Sequence, residues 1–251
     1  MQEFKNLLLL FFGLSLFAGA AACSAPEKPP ERSEAQIESA EKARQLFDRK
    51  KTDQAVETAA DFEGAVIVML GDSLTAGYKL PTEDALPAVL EQRLSETGRT
   101  AKIINAGVSG DTSGGGLGRF NFSVAVHEPD IVVLALGAND VLQNVDPRRT
   151  RNNLASIIES AQSAGSEVLL LGLSTRSSGG YTDPRLREFE AIYPELSSEY
   201  DVPLIREMLA GVRDNPRYLQ QDGVHPTADG VEIMADQIEI ALVRLLDGMT
   251  P

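Results

Sequence analysis

Short apolar runs and amphipathic stretches alternate along the chain from residue 62 onward. The runs are rich in Val, Ile and Leu and are mostly apolar on both faces, which is typical of strands in a parallel sheet. They lie at residues 66–70, 102–105, 131–136, 168–173 and 202–205. Apolar positions at helical spacing predict the helices that separate and follow them, at residues 85–96, 117–126, 149–164, 184–200 and 227–246.

The alternation of strands and helices predicts the fold class. Strand followed by helix, five times in succession, indicates an α/β domain in which helices cover both faces of a five-stranded parallel sheet. The ligand site of such a sheet lies beyond the carboxyl ends of its strands. Functional side chains are therefore expected in the loops that follow the strands. Thr227, directly after Pro226, is the expected N-cap of the last helix.

The first 23 residues differ from the rest and predict an export signal. Lys5 precedes an apolar run at residues 7–17 that is too short to cross a bilayer as a helix. Cys23, the single cysteine of the chain, follows three alanines, and this arrangement resembles the site at which bacterial lipoproteins are cleaved and lipidated. The alternative is an ordinary secretory signal cleaved after Ala-x-Ala. We expect a periplasmic lipoprotein of a bacterium, anchored to the membrane only through lipid on Cys23.

Residues 24–61 contain several prolines and many charged side chains but few large apolar ones. Such a segment cannot bury enough surface to offset its ordering entropy, so it predicts a solvated tether ahead of a domain at residues 62–251. The tether is nearly balanced in charge, so most of the net charge of -14 belongs to the domain. That acidity argues against nucleic acid and anionic lipid surfaces as partners, because both require clusters of Lys and Arg.

A serine, a histidine and an aspartate predict nucleophilic chemistry at the carboxyl edge of the sheet. Ser73 follows the first strand, and its hydroxyl needs a base because it is a poor nucleophile at neutral pH. Of the two histidines, His127 is expected at the surface near the opposite edge, which leaves His225 as the base. Asp222 precedes His225 by three residues and can hold the tautomer of the imidazole.

Acyl transfer also requires hydrogen-bond donors for the developing oxyanion. Three donors follow strands at the same edge: the N–H of Ser73, the N–H of Gly110 and the side-chain amide of Asn139. Each of them alone has an ordinary interpretation as a turn or loop residue. Their convergence at one edge of the sheet favours the functional interpretation.

These residues lie in four ordered blocks of sequence. The blocks are Gly-Asp-Ser-Leu at 71–74, Asn-Ala-Gly-Val-Ser-Gly-Asp-Thr-Ser at 105–113, Gly-Ala-Asn-Asp at 137–140 and Asp-Gly-Val-His-Pro at 222–226. Together they resemble the SGNH (GDSL) hydrolases, in particular the bacterial periplasmic arylesterase, lysophospholipase and acyl-CoA thioesterase I group. The resemblance implies a three-layer α/β/α flavodoxin-like fold. It also implies Ser73 as nucleophile, His225 as base and Asp222 as its orienting group, with Ser73 N–H, Gly110 N–H and Asn139 Nδ2 as the oxyanion hole.

Three details refine this interpretation. Thr75 stands two residues after Ser73, so there is no Gly-x-Ser-x-Gly elbow of the α/β-hydrolase type. Ala138 stands where the resembled group often has a second glycine, and we expect it to shift substrate preference and leave the chemistry intact. Asp72 and Asp140 are interpreted as hydrogen-bond acceptors that order loops, because a site with one imidazole among carboxylates suits a metal poorly. No metal or cofactor is expected.

The expected activity is hydrolysis of carboxylic esters, with aryl esters, short to medium acyl esters, lysophospholipids and acyl thioesters as candidate substrates. Leu142, Val145 and Tyr181 are the expected substrate contacts, and Tyr193 is a further candidate. Two alternatives stay open. A carbohydrate O-acetylesterase of the cell envelope would show a sharp preference for acetate, and a tethered binding module would fail to react with a serine-directed phosphonate.

Overall fold

The computed structural model describes residues 62–173 and 184–249. The export signal, Cys23 and the tether, all predicted within residues 1–61, lie outside the described residues, and so does Tyr181. None of the helices in the two described ranges has the length and apolar character needed to cross a membrane.

Five strands form one parallel sheet in the order β2-β1-β3-β4-β5, which confirms the predicted sheet. The strands are β1 (Ala65–Gly71), β2 (Ala101–Gly107), β3 (Ile131–Ala135), β4 (Glu167–Leu171) and β5 (Leu204–Ile205). This is the strand order of flavodoxin-like folds, in which the chain adds β2 on one side of β1 and all later strands on the other. A crevice therefore opens at the carboxyl ends of β1 and β3, where the direction of winding reverses.

Helices cover both faces of the sheet. They are α1 (Ser73–Ala76), α2 (Leu86–Glu96), α3 (Ser113–Ser123), α4 (Ala138–Leu142), α5 (Pro147–Ser163), α6 (Pro184–Tyr200) and α7 (Ala228–Met249). Because successive residues of a strand point to opposite faces, Ile67 and Met69 of β1 pack with α2 and α7, whereas Val68 and Leu70 pack with α3, α5 and α6. The sheet is thus buried on both sides, as the unbroken apolar runs predict.

Several element boundaries differ from the sequence prediction by a few residues, and the clearest differences are in α3 and β5. Helix α3 begins at Ser113, four residues before the predicted start, and Thr112 caps it by accepting a hydrogen bond from Gly115 N–H at 3.3 Å. Periodicity missed this first turn because three glycines follow Ser113 and contribute no apolar pattern. Strand β5 is two residues long instead of four, and Pro203, just before it, has no N–H for a ladder bond.

The last helix begins as predicted. Thr227 lies immediately before α7, and its hydroxyl accepts a hydrogen bond from Gly230 N–H at 3.2 Å. This confirms Thr227 as the N-cap. The cap fixes the start of α7 at Ala228, three residues after His225, so it also fixes the end of the loop that carries the histidine.

Candidate active site

Ser73, His225 and Asp222 form a continuous set of hydrogen-bond contacts at the carboxyl end of β1. The distance from Ser73 Oγ to His225 Nε2 is 2.9 Å, and the distance from His225 Nδ1 to Asp222 Oδ2 is also 2.9 Å. A ring that carries its proton on Nδ1 donates to Asp222 and accepts from the Ser73 hydroxyl. The structure therefore brings together the three side chains that the sequence singles out.

The end of β1 holds Ser73 at the first position of α1. Asp72 caps this short helix, with its Oδ1 accepting a hydrogen bond from Leu74 N–H at 3.0 Å. Asp72 is buried, and burial raises its pKa to about 6 even though the Leu74 N–H acts in the opposite direction. Gly71 permits the tight turn, because a Cβ at this position would lie 2.0 Å from Thr75 Oγ1.

The loop between the sheet and α7 fixes the histidine. Asp222 Oδ1 accepts hydrogen bonds from Val224 N–H and His225 N–H, both at 3.0 Å. Partial burial alone would raise the pKa of Asp222, but these two N–H groups and the His225 ring together lower it to about 2. Asp222 is therefore an anion, and an acceptor for the imidazole, throughout the neutral range.

Tyr78 contacts the histidine ring from outside the triad. The centroids of the Tyr78 and His225 rings are 4.4 Å apart, with an angle of 38° between their planes. Gln220 Nε2 donates to the carbonyls of Tyr78 and Pro226, both at 2.8 Å, and so links the Tyr78 turn to the His225 loop. Sequence reasoning gave Tyr78 no role, because its position five residues after Ser73 does not by itself indicate contact with a histidine 147 positions later.

The three expected oxyanion donors lie in segments that hydrogen bonds join: Ser73 opens α1, Gly110 precedes α3 and Asn139 lies in α4. Within the described ranges, neither Ser73 N–H nor Gly110 N–H donates to another protein group, and Gly110 has a positive φ of 83°. Asn139 Nδ2 lies 2.9 Å from the carbonyl oxygen of Asp111 and 3.2 Å from Asp72 Oδ2. The amide of Asn139 is thus held between the residue before Ser73 and the residue after Gly110.

The hydrogen bonds of Asp140 confirm that its carboxylate is an acceptor that orders loops. It is fully buried, and its carboxylate accepts hydrogen bonds from Ser113 N–H at 2.7 Å, Ser113 Oγ at 2.5 Å and Thr150 Oγ1 at 2.9 Å. Asn153 Nδ2 also donates to Ser113 Oγ at 2.9 Å. Asp140 therefore connects the Asn139 segment with the starts of α3 and α5.

Two of the expected substrate contacts are accessible in the structure, and a third is buried. Leu142 ends α4 with 71% of its surface exposed, and Val145 is half-buried in the loop that follows. Tyr193 is wrong as a substrate contact: it is buried in the core, and its hydroxyl donates to the carbonyl oxygen of Leu136 at 3.0 Å. Its aromatic ring serves packing, and burial raises the pKa of its hydroxyl above the ordinary value for tyrosine.

Two further residues bear on the sequence interpretation. His127 is exposed in a short 3-10 turn before β3, at the opposite edge of the sheet, as expected. Ala138 opens α4 directly before Asn139, so its methyl group lies next to the segment that carries the amide. No group of three or more His, Cys, Asp or Glu side chains within residues 62–173 and 184–249 is placed to hold a metal ion.

A serine, a histidine and an aspartate lie in hydrogen-bond contact at the switch point of a flavodoxin-like sheet, an arrangement typical of serine hydrolases. Residues 69–233 match the model of the GDSL-like lipase/acylhydrolase family. The chain belongs to this family and is a hydrolase that acts on ester bonds.

Individual proteins agree with this assignment. Thioesterase 1/protease 1/lysophospholipase L1 of Escherichia coli K12 is 36% identical over 181 residues, which are 72% of this chain and 85% of that protein. An arylesterase of Vibrio mimicus is 34% identical over 191 residues, which are 75% of this chain and 94% of that protein. The crystal structure of AlinE4, an SGNH-hydrolase family esterase, is similar with a TM-score of 0.60 and 40% identity, and the match covers 73% of this chain and 97% of AlinE4.

Proposed function

We propose that the chain hydrolyses carboxylic esters through an acyl-enzyme on Ser73, with His225 as the base and Asp222 as its orienting group. The observation that carries this proposal is the pair of 2.9 Å contacts that joins Ser73 Oγ to the imidazole and the imidazole to Asp222. At these distances His225 can take the proton of Ser73, and Asp222 can hold the imidazole ring, without any movement of the side chains.

The proposed reaction has two similar halves. His225 Nε2 takes the hydroxyl proton as Ser73 Oγ bonds to the ester carbonyl carbon, and it then gives that proton to the leaving alcohol as the C–O bond breaks. Water repeats the sequence on the acyl-enzyme and releases the carboxylic acid. Asp222 stabilises the imidazolium in each half, which its pKa of about 2 supports.

The proposed oxyanion hole consists of Ser73 N–H, Gly110 N–H and Asn139 Nδ2. Two of these donors have no protein acceptor in the described part of the chain, which supports their use by a ligand. The third is engaged by Asp72 and Asp111, and the longer bond, at 3.2 Å to Asp72, is the one that Asn139 would share with the oxyanion. One such donor contributes about 3 kcal/mol to transition-state stabilisation.

The rim of the site supports esters with an aryl or acyl group. Exposed apolar side chains flank the catalytic loops, at Tyr78, Val108, Leu142 and Val224. We propose Leu142 and Val145 as substrate contacts after the Asn139 segment, and aryl esters, short to medium acyl esters and lysophospholipids as substrates. The names of the curated relatives, arylesterase and thioesterase/lysophospholipase, support the same range. The net charge of -14 disfavours strongly anionic esters.

Export and lipidation at Cys23 complete the proposal. The apolar run at residues 7–17 and the alanines before Cys23 support cleavage at this cysteine and attachment to a bacterial membrane on the periplasmic side. The mass of the N-terminal peptide of the mature protein tests this point. Acyl groups on Cys23 are expected, and an unmodified N-terminus at or near this residue would favour the ordinary secretory signal.

The activity is tested with p-nitrophenyl esters from acetyl to palmitoyl, with Ser73→Ala measured in parallel. We expect hydrolysis by the purified protein and a loss of more than about 1000-fold in the variant. Activity on acyl chains longer than acetyl supports the proposed substrates, whereas activity confined to acetate would favour an envelope carbohydrate O-acetylesterase. Equal activity of both proteins would contradict the role of Ser73, and silence of both would favour a binding module.

A further inference from the structure

Arg119 is a buried cation behind the candidate active site. It lies on the inner face of α3, with 9% of its surface exposed, beside the buried residues Gly116 and Phe120. Its Nε lies 2.7 Å from Asp111 Oδ2, and its Nη2 donates to the carbonyl oxygen of Gly71 at 3.0 Å. An arginine in a helix interior is stable only when its donors are paired, and both partners here belong to segments of the site.

Each partner of Arg119 lies within two residues of a proposed oxyanion donor. Gly71 is the last residue of β1 and stands two positions before Ser73. Asp111 directly follows Gly110, and its carbonyl oxygen accepts the hydrogen bond from Asn139 Nδ2. The guanidinium group thus holds, by one hydrogen bond each, the residues that lie two positions before Ser73 and directly after Gly110 in the sequence. It is also connected to Asn139, because Asn139 Nδ2 donates to the carbonyl oxygen of Asp111.

We propose that Arg119 is a positioning residue that sets the relative placement of the three oxyanion donors. This inference rests on the proposed function. The N–H groups of a planar guanidinium point in fixed directions, so one can donate to a carboxylate while another donates to a carbonyl oxygen. The ammonium group of a lysine, on its flexible stem, does not hold two acceptors in such a fixed arrangement. The helix leaves room for the arrangement, because a Cβ at Gly115 would lie 1.7 Å from Asp111 Oδ1.

The test compares Arg119→Lys and Arg119→Met with a control at Arg93. Arg93 also pairs with carboxylates, those of Glu232 and Asp236, but it joins α2 to α7 away from the site. Three quantities are measured for each protein: kcat and KM on p-nitrophenyl acetate, inhibition by an aryl trifluoromethyl ketone, and the urea midpoint. The ketone forms a hemiketal with a catalytic serine, so its affinity reports on the oxyanion donors.

We expect both Arg119 variants to lose about 10- to 100-fold in kcat with little change in KM, because displacement of donors by about 1 Å affects the transition state more than the substrate. Affinity for the trifluoromethyl ketone should fall by the same factor. Arg93→Met should lower the urea midpoint and leave kcat and ketone affinity unchanged. If Arg119→Met does not fold, Arg119→Lys and Asp111→Asn carry the same expectation.

Wild-type kcat and ketone affinity in a folded Arg119 variant would overturn the proposal, and so would an equal loss of kcat in Arg93→Met. Failure of the proposed function has a different signature. In that case the wild-type protein itself would neither hydrolyse the ester nor react at Ser73 with a phosphonate, and the inference would be lost with it.

Discussion

Replacement of Asp140 by alanine tests how the buried carboxylate stabilises the loops around the site. The side chain is inaccessible to solvent and accepts three hydrogen bonds, from Ser113 N–H, Ser113 Oγ and Thr150 Oγ1. These bonds join the segment that carries Asn139 to the starts of α3 and α5. The variant removes the shared acceptor and leaves its donors in place.

The cost follows from which donors can find another partner. Ser113 N–H is fixed by the backbone and remains buried, and an unpaired buried N–H costs about 1–3 kcal/mol. The hydroxyls of Ser113 and Thr150 can rotate, so each loses about 1 kcal/mol. We therefore expect the free energy of unfolding to fall by about 3–5 kcal/mol, a large part of the ~5–15 kcal/mol typical of a domain.

Urea denaturation at pH 7 measures this change, with Thr150→Val as the matched variant. Thr150→Val removes one donor and should cost about 1 kcal/mol. The double variant should cost less than the sum of the single ones, because it also removes the hydroxyl that Asp140→Ala leaves without its acceptor. A loss below about 1 kcal/mol for Asp140→Ala, or strict additivity, would refute this account of the network.

Three further predictions concern neighbouring groups. Asn139→Ala should lower kcat by about 100- to 1000-fold with little change in KM, and a larger effect on KM would mean that Asn139 binds substrate in the ground state. Tyr78→Ala should lower kcat, because the Tyr78 ring contacts His225, and Tyr78→Phe should restore it; equal loss in both variants would argue for the hydroxyl instead. The pKa of Asp72 is raised from 3.8 to about 6 in the folded protein, so between these pH values the native state binds more protons than the unfolded state. The free energy of unfolding should therefore fall as the pH rises from about 4 to 6. The decline is roughly 3 kcal/mol at most, and urea titrations from pH 4 to 7 should show it in the wild type and not in Asp72→Asn.

The strands, the sheet edge and the triad could be predicted because each has a local signal in the sequence. The run at residues 66–70 is apolar throughout, and Ser73 follows its end by three residues. Asp222 and His225 are close in sequence, so their contact needs only a turn. Four ordered blocks then indicated the family, which the comparisons confirm.

The supporting residues could not be predicted because their partners are distant in sequence. Arg119 pairs with Gly71 across 48 positions, and its helix begins in a glycine-rich segment without apolar periodicity. The one available signal was that Arg119, a charged residue, lies on the same inward face of the helix as Gly116 and Phe120. Tyr193 was misjudged for a related reason, since an aromatic side chain suits a pocket and a core equally well.

Labelling with a p-nitrophenyl phosphonate tests the central claim most directly. The purified protein should release one equivalent of p-nitrophenol per chain, lose its esterase activity and carry the phosphonyl group on the peptide that contains Ser73. His225→Ala should react far more slowly, because the base that activates the serine is absent. An adduct on another residue, or full esterase activity without any adduct at Ser73, would contradict the account.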